Sequence, residues 1–316
     1  WATQWLASER VKTLRYSTVR RYEQLVRDWI VPELGTIEAR QVRGRHVRLL
    51  LESAGTQMSP RSVIQLRAVL SSMMTSALEA ELIDAHPVSG VRGPKVDRPD
   101  LAVPTAEDLG RLMTAANPTT WAVPVVVSCT TGMRRGEVLG LRWKDIDLEK
   151  GRLRVAKALQ SVPDPDGVTS LRLVDPKTDR SRRTVTLPKT AVDRLRLAKR
   201  EQAARRLQLD IAWQDLNLVC DSGDGSPFHP DSFGKATKRL MAKAGLDPKT
   251  RLHDCRHGVA TVMFEQGVHP ALASAVLGHS SVAFTMDTYQ HVGDQMTDQA
   301  AAALDDAFAA GISASK

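Results

Sequence analysis

A chain of 316 residues that is 42% hydrophobic is long enough for two cores, because single cores stop growing near about 250 residues. Its 44 Lys+Arg against 36 Asp+Glu leave a formal charge of +8, the footprint of a protein that meets phosphate polymers. No apolar run approaches the roughly 20 residues that span a bilayer, no GxxxxGK[ST] or GxGxxG loop is present, and Cys129, Cys220 and Cys255 form no CxxC pair, which argues against a membrane partner, nucleotide-driven chemistry and a cysteine metal site. The expected setting is a reducing cytoplasm. Trp1 already lies inside an amphipathic pattern, so upstream sequence is expected before it.

Residues 1–86 read as a small all-helical domain. Val19, Tyr22, Leu25, Val26 and Trp29 recur at helical spacing, as do Val47, Leu50 and Leu51, then Val63, Leu66, Val69, Leu70, Met73 and Met74. Ser17 and Ser59 stand as N-caps, the second followed by Pro60 at the first helical position. Residues 87–104, rich in proline and glycine and without periodicity, read as an extended linker.

From residue 105 onward, a second domain of mixed α and β structure is expected. Helices are predicted near 105–116, 121–130, 190–208, 231–244, 253–266, 270–277 and 294–310. Strand patterns lie at 145–148, 153–155 and 218–220, and a hairpin is predicted over 171–187 with its turn at Lys177–Ser181. The fold class is therefore mainly α with a small β-sheet.

Four stretches carry chemistry. Thr131-Gly-Met-Arg134 opens a short helix with Arg134 and Glu137 on one face. An arginine there opposes the helix dipole, which suits an anion ligand better than a stabiliser. His253 and Arg256 share a face in Leu252-His-Asp-Cys-Arg-His257, and Leu277-Gly-His279 and Asp287-Thr-Tyr289 follow. With Pro176-Lys177-Thr178 on the predicted hairpin, this order resembles the tyrosine recombinase, or phage integrase, family from about residue 105 to 291.

The resemblance implies a helical core-type DNA-binding domain over 1–86 and a catalytic domain over 105–316, whose helix 294–310 docks on a neighbouring protomer, with packing in cis as the alternative. It implies a catalytic set of Arg134, Lys177, His253, Arg256, His279 and Tyr289, with Glu137 holding Arg134. The physical case is independent. Attack on a phosphodiester builds negative charge on the non-bridging oxygens, and a guanidinium fork meets two such oxygens without losing its proton. Tyrosine, with a pKa near 10, needs a base or nearby positive charge, and His253 is placed to serve. Lys177 is the expected acid for the departing 5′ hydroxyl, and His279 a third donor to the oxygens. A covalent 3′-phosphotyrosyl link would conserve the bond's energy, so no ATP, cofactor or metal is expected. His291 recurs in many relatives and is given no role.

The implied partners are double-stranded DNA attachment sites and three further copies in a tetramer, with a directionality or DNA-bending factor and a nucleoid location in a bacterial host. Residues 1–95 hold 14 Lys+Arg against 9 Asp+Glu. Arg43, Arg45, Arg48, Arg61, Arg67 and Lys95 are the expected DNA contacts. Three rival readings stand beside this one. A type IB topoisomerase shares the chemistry, and an inactive DNA-binding module would lack some of the set, which is complete. A zinc hydrolase would use His253 and His257 at i and i+4, but Asp254 stands where that motif needs Glu. Two departures from the family pattern, Gly258 where threonine is usual and Ala85-His86-Pro87 where Asn-Pro is common, put local packing in question.

Overall fold

The computed structural model describes residues 1–96, 102–163, 169–176 and 182–278. The chain divides into two compact units, Trp1–Pro99 and Asp100–Lys316.

The first unit is helical: α1 Ala2–Leu6, α2 Glu9–Lys12, α3 Tyr16–Leu25, α4 Val31–Leu34, α5 Gly44–Gly55 and α6 Pro60–Glu79. A π-helical turn, Val26–Ile30, joins α3 to α4. Ser59 caps α6 through its hydroxyl, which accepts from Ser62 N–H at 3.3 Å, with Pro60 at the first position. Ser17 is not a cap. It lies inside α3, whose N-cap is Arg15. The apolar stripes meet in one core containing Trp5, Leu25, Val47, Leu50, Leu66 and Leu70.

The first residues of the expected linker pack onto the first unit. Val88 and Val91 are buried in that same core, and Arg67 holds the turn by donating Nε to the Val91 carbonyl at 2.6 Å and a terminal NH to the Val88 carbonyl at 3.4 Å. Two buried valines outweigh the local Pro/Gly signal, because tertiary burial overrides turn composition. His86 packs for a similar reason: its Nε2 lies 3.2 Å from Thr75 Oγ1 and 3.1 Å from the Ser71 carbonyl.

The second unit is built round α8, Ala122–Thr131, which follows α7, Ala106–Ala116. Every residue of α8 except Thr130 is buried, as expected of a helix that is apolar all round. Its hydroxyls are satisfied within the helix, Ser128 bonding the Pro124 carbonyl and Thr131 the Val127 carbonyl. The chain continues through α9 Arg135–Leu139, β1 Ile146–Asp147, β2 Arg152–Arg154, β3 Ala158–Pro163, β4 Thr169–Val174 and β5 Thr184–Thr186. Helices α10 Lys189–Leu209, α11 Pro230–Lys243, α12 Asp254–Glu265 and α13 Pro270–Leu277 complete the described part.

The strands pair differently from the expected 171–187 hairpin. β4 pairs back onto β3, with Leu171 opposite Ser161, and β5 pairs with β2, with Val185 opposite Leu153. The stretch Pro163-Asp-Pro-Asp-Gly167 is a stronger turn signal than Lys177–Ser181. β2 also offers Leu153 to cover Val185, both fully buried between exposed neighbours. At 218–220 there is only an isolated bridge from Leu218 to Arg142.

Candidate active site

Arg134 is set by a sharp helix end. α8 stops at Gly132, whose left-handed φ of 61° turns the chain, and a Cβ there would stand 2.4 Å from Leu277 Cδ2. Two residues later Arg134 is the N-cap of α9. Glu137 in the first turn of α9 is buried, and its carboxylate accepts the Arg134 backbone N–H at 3.0 Å and the Arg134 side chain at 2.8 Å. The other Arg134 terminal nitrogen donates to the Gly278 carbonyl at 2.8 Å. Arg134 is therefore tied to the residue that precedes His279.

Arg256 arrives from α12 and is buried, with one terminal NH donating to the Gly132 carbonyl at 2.8 Å. The close seat of α12 explains Gly258: a Cβ there would lie 2.5 Å from the Pro104 carbonyl oxygen. Asp254, also buried, ties the turn before the helix by accepting Arg251 N–H at 2.8 Å and the Arg251 guanidinium at 3.0 and 3.1 Å. His253, the N-cap of α12, stands edge to face with His257, ring centroids 5.5 Å apart. Among the described residues no group of three or more His, Cys, Asp or Glu side chains is placed to hold a metal ion, and Asp254, which stands where the zinc-hydrolase motif has glutamate, is engaged by Arg251.

Arg183, just before β5, was not expected. Its side chain is only 6% exposed, and it donates to Glu137 at 3.1 Å and through Nε to the Val276 carbonyl at 2.5 Å. The only sequence signal was a basic pair, Arg182-Arg183, preceding an alternating strand, which reads as solvated charge.

The electrostatics are those of an anion site. Burial, then the charges of Arg134 and Arg183, push Arg256 down to about 9, so it stays protonated at neutral pH. Burial lowers Arg183 as well, opposed by Glu137. Burial would raise Glu137, but the charge of Arg183 and hydrogen bonds from Arg134 hold it below the usual carboxylate range. His253 is lowered by desolvation, then by His257 and Arg256. Among the described residues, three guanidinium groups thus gather round one carboxylate.

Of the expected catalytic residues, the structure brings together Arg134, Glu137, Arg256 and His253. Lys177, His279, Tyr289, His291 and the helix 294–310 lie outside the described residues. Arg43, Arg45, Arg48, Arg61 and Lys95 are exposed on the first unit. Arg67 is half-buried on the carbonyls of Val88 and Val91.

Comparison with known proteins follows this geometry. An integrase of Saccharopolyspora erythraea is 26% identical over 358 residues, covering 98% of this chain and 82% of that one. A "Tyrosine recombinase XerC-like" protein of Caldanaerobacter subterraneus subsp. tengcongensis is 32% identical over 185 residues, 56% of this chain and 47% of the relative. In fold, the chain is similar to the Tn1549 transposon integrase in complex with transposon right end DNA (TM-score 0.75, 18% identity, 91% of this chain and 94% of that one). It is also similar to a lambda integrase tetramer bound to a Holliday junction (TM-score 0.66, 18% identity, 91% and 74%). Among the described residues no helix is long and apolar enough to cross a membrane. The phage integrase family model matches residues 103–296, more than half of the chain, and the chain belongs to that family: it is a tyrosine recombinase, a site-specific enzyme of the phage and mobile-element kind that cuts and rejoins DNA.

Proposed function

We propose that Tyr289 attacks the scissile phosphate of a double-stranded attachment site while Arg134 and Arg256 clamp its non-bridging oxygens. The observation that carries this reading is the convergence of those two arginines, from α9 and α12, on one positively charged cluster beside His253. His253 takes the tyrosine proton, which its lowered pKa suits because the ring is neutral at pH 7. Lys177 protonates the departing 5′ oxygen, and His279, one residue beyond the carbonyl that Arg134 holds, donates to the phosphate. Glu137 keeps Arg134 aimed. The 3′-phosphotyrosyl bond is then attacked by a 5′ hydroxyl of the second duplex, which restores the phosphodiester and frees Tyr289.

Exchange between two duplexes needs four active sites, so the working form is a tetramer on DNA, to which helix 294–310 contributes a docking surface between protomers. The exposed Arg43, Arg45, Arg48, Arg61 and Lys95 meet DNA phosphates. A directionality or DNA-bending factor sets integration against excision, and the enzyme works at the nucleoid in the cytoplasm of a bacterial host.

The test uses duplexes selected from random-sequence DNA by binding, then nicked so that the cut strand is lost. The wild type is expected to trap a covalent protein–DNA complex, and Tyr289→Phe to bind without trapping it. A covalent complex that persists in the Phe variant overturns the assignment. Loss of supercoils without exchange between two duplexes would identify a topoisomerase instead.

A further inference from the structure

We propose that Arg183 is a positioning residue for phosphodiester cleavage, whose guanidinium neutralises Glu137 and ties it to the end of α13 so that Arg134 meets the phosphate with its charge intact. The proposal rests on the reading that Arg134 holds the scissile phosphate.

Glu137 anchors Arg134, but a carboxylate beside a phosphate site also cancels the charge it positions. One of its oxygens takes the Arg134 side chain, and the other is shared by the Arg134 backbone N–H and Arg183. Arg183 faces inward and uses Nε on the Val276 carbonyl. A Cβ on Gly278 would stand 2.9 Å from its NH1, so it also lies against the turn that leads to His279. The charges match the reaction. A phosphodiester carries one negative charge, and phenolate attack brings a second into the transition state. Among the described residues, Arg183 adds one positive charge to the cluster that Glu137 would otherwise reduce by one. Lysine at this position would keep the charge but could not serve the carboxylate and the carbonyl in one plane.

The experiment compares the full chain with Arg183→Gln and Arg183→Lys. Each is tested on a nicked duplex whose scissile group is a phosphate or, in a second version, a neutral methylphosphonate with one non-bridging oxygen replaced by methyl. Arg134→Gln serves as the control. Arg183→Gln is expected to bind DNA within about twofold of wild type and to cleave the phosphate about 30-fold more slowly, the loss expected when one charge-assisted hydrogen bond is removed. On the methylphosphonate, where less charge needs neutralising, its deficit is expected to shrink to within about threefold. A deficit of equal size on both substrates, or none on the phosphate, overturns the proposal, since a structural prop would ignore the charge of the substrate. If Arg183→Gln does not fold, Arg183→Lys decides: cleavage of the phosphate within about tenfold of wild type supports charge neutralisation, and a loss beyond about 100-fold overturns it. Should Arg134→Gln gain nothing from the neutral substrate, the clamp reading of Arg134 fails, and Arg183 is then judged by its own two rates.

Discussion

Arg256 donates a hydrogen bond to the carbonyl of Gly132 at 2.8 Å, joining the start of α12 to the turn that ends α8. The contact places the second arginine of the proposed clamp against the loop that sets the first. It requires Gly132 to hold its left-handed conformation with Leu277 pressed onto it.

Gly132→Ala is accordingly expected to cost roughly 2–4 kcal/mol, from the left-handed backbone and the overlap with Leu277 together. Denaturant unfolding of the second unit measures it. A loss under about 0.5 kcal/mol would mean that the turn relaxes freely and that the hydrogen bond does not need it.

Arg134→Lys and Arg256→Lys are expected to bind the selected duplex within a few-fold of wild type and to lose at least about 100-fold in covalent-complex formation. Lysine keeps the positive charge and loses the fork, so retained binding with lost cleavage marks a clamp. Parallel loss of both, read by gel shift and trapping on one duplex, would make these arginines mere DNA anchors.

His253 and His257, at the start of α12, give stability a pH dependence of known sign. Burial pulls His257 below its usual value, with Arg256 and Arg251 reinforcing the shift and Asp254 opposing it, and His253 is lowered by burial and by His257. A histidine depressed in the folded state takes up its proton more readily when unfolded. Stability is therefore full above the unfolded value near 6.5 and falls as pH drops from there toward the depressed folded value. Melting temperatures at pH 7.5 and 5.5 should show this drop, and His257→Gln should reduce it. A drop of the same size in the variant assigns it elsewhere.

Ser59→Ala removes the hydroxyl that caps α6 and is expected to destabilise the first unit by about 1 kcal/mol. Ser17→Ala, inside α3 and without a capping bond, should change stability by less than about 0.5 kcal/mol. Equal effects from the two serines would contradict the capping assignment.

The sequence by itself determined the family, the fold class and most helices of the described residues, and it marked the residues proposed for catalysis. Leu66, Val69, Leu70 and Met73 mark α6 because a helix repeats every 3.6 residues along the chain, and Arg134, Arg256 and Tyr289 stand out because each lies in a short string with its neighbours. What only the tertiary structure decided are pairings across distance. Val88 and Val91 complete the first core although their segment reads as a linker, β4 turns back to β3, Arg67 serves two backbone carbonyls, and Arg183 sits buried between Glu137 and the end of α13. Spacing reports the face of an element and not the element that covers it. A buried charge such as Arg183 is recognisable only once its partners, from residues 137 and 276, are brought against it in space.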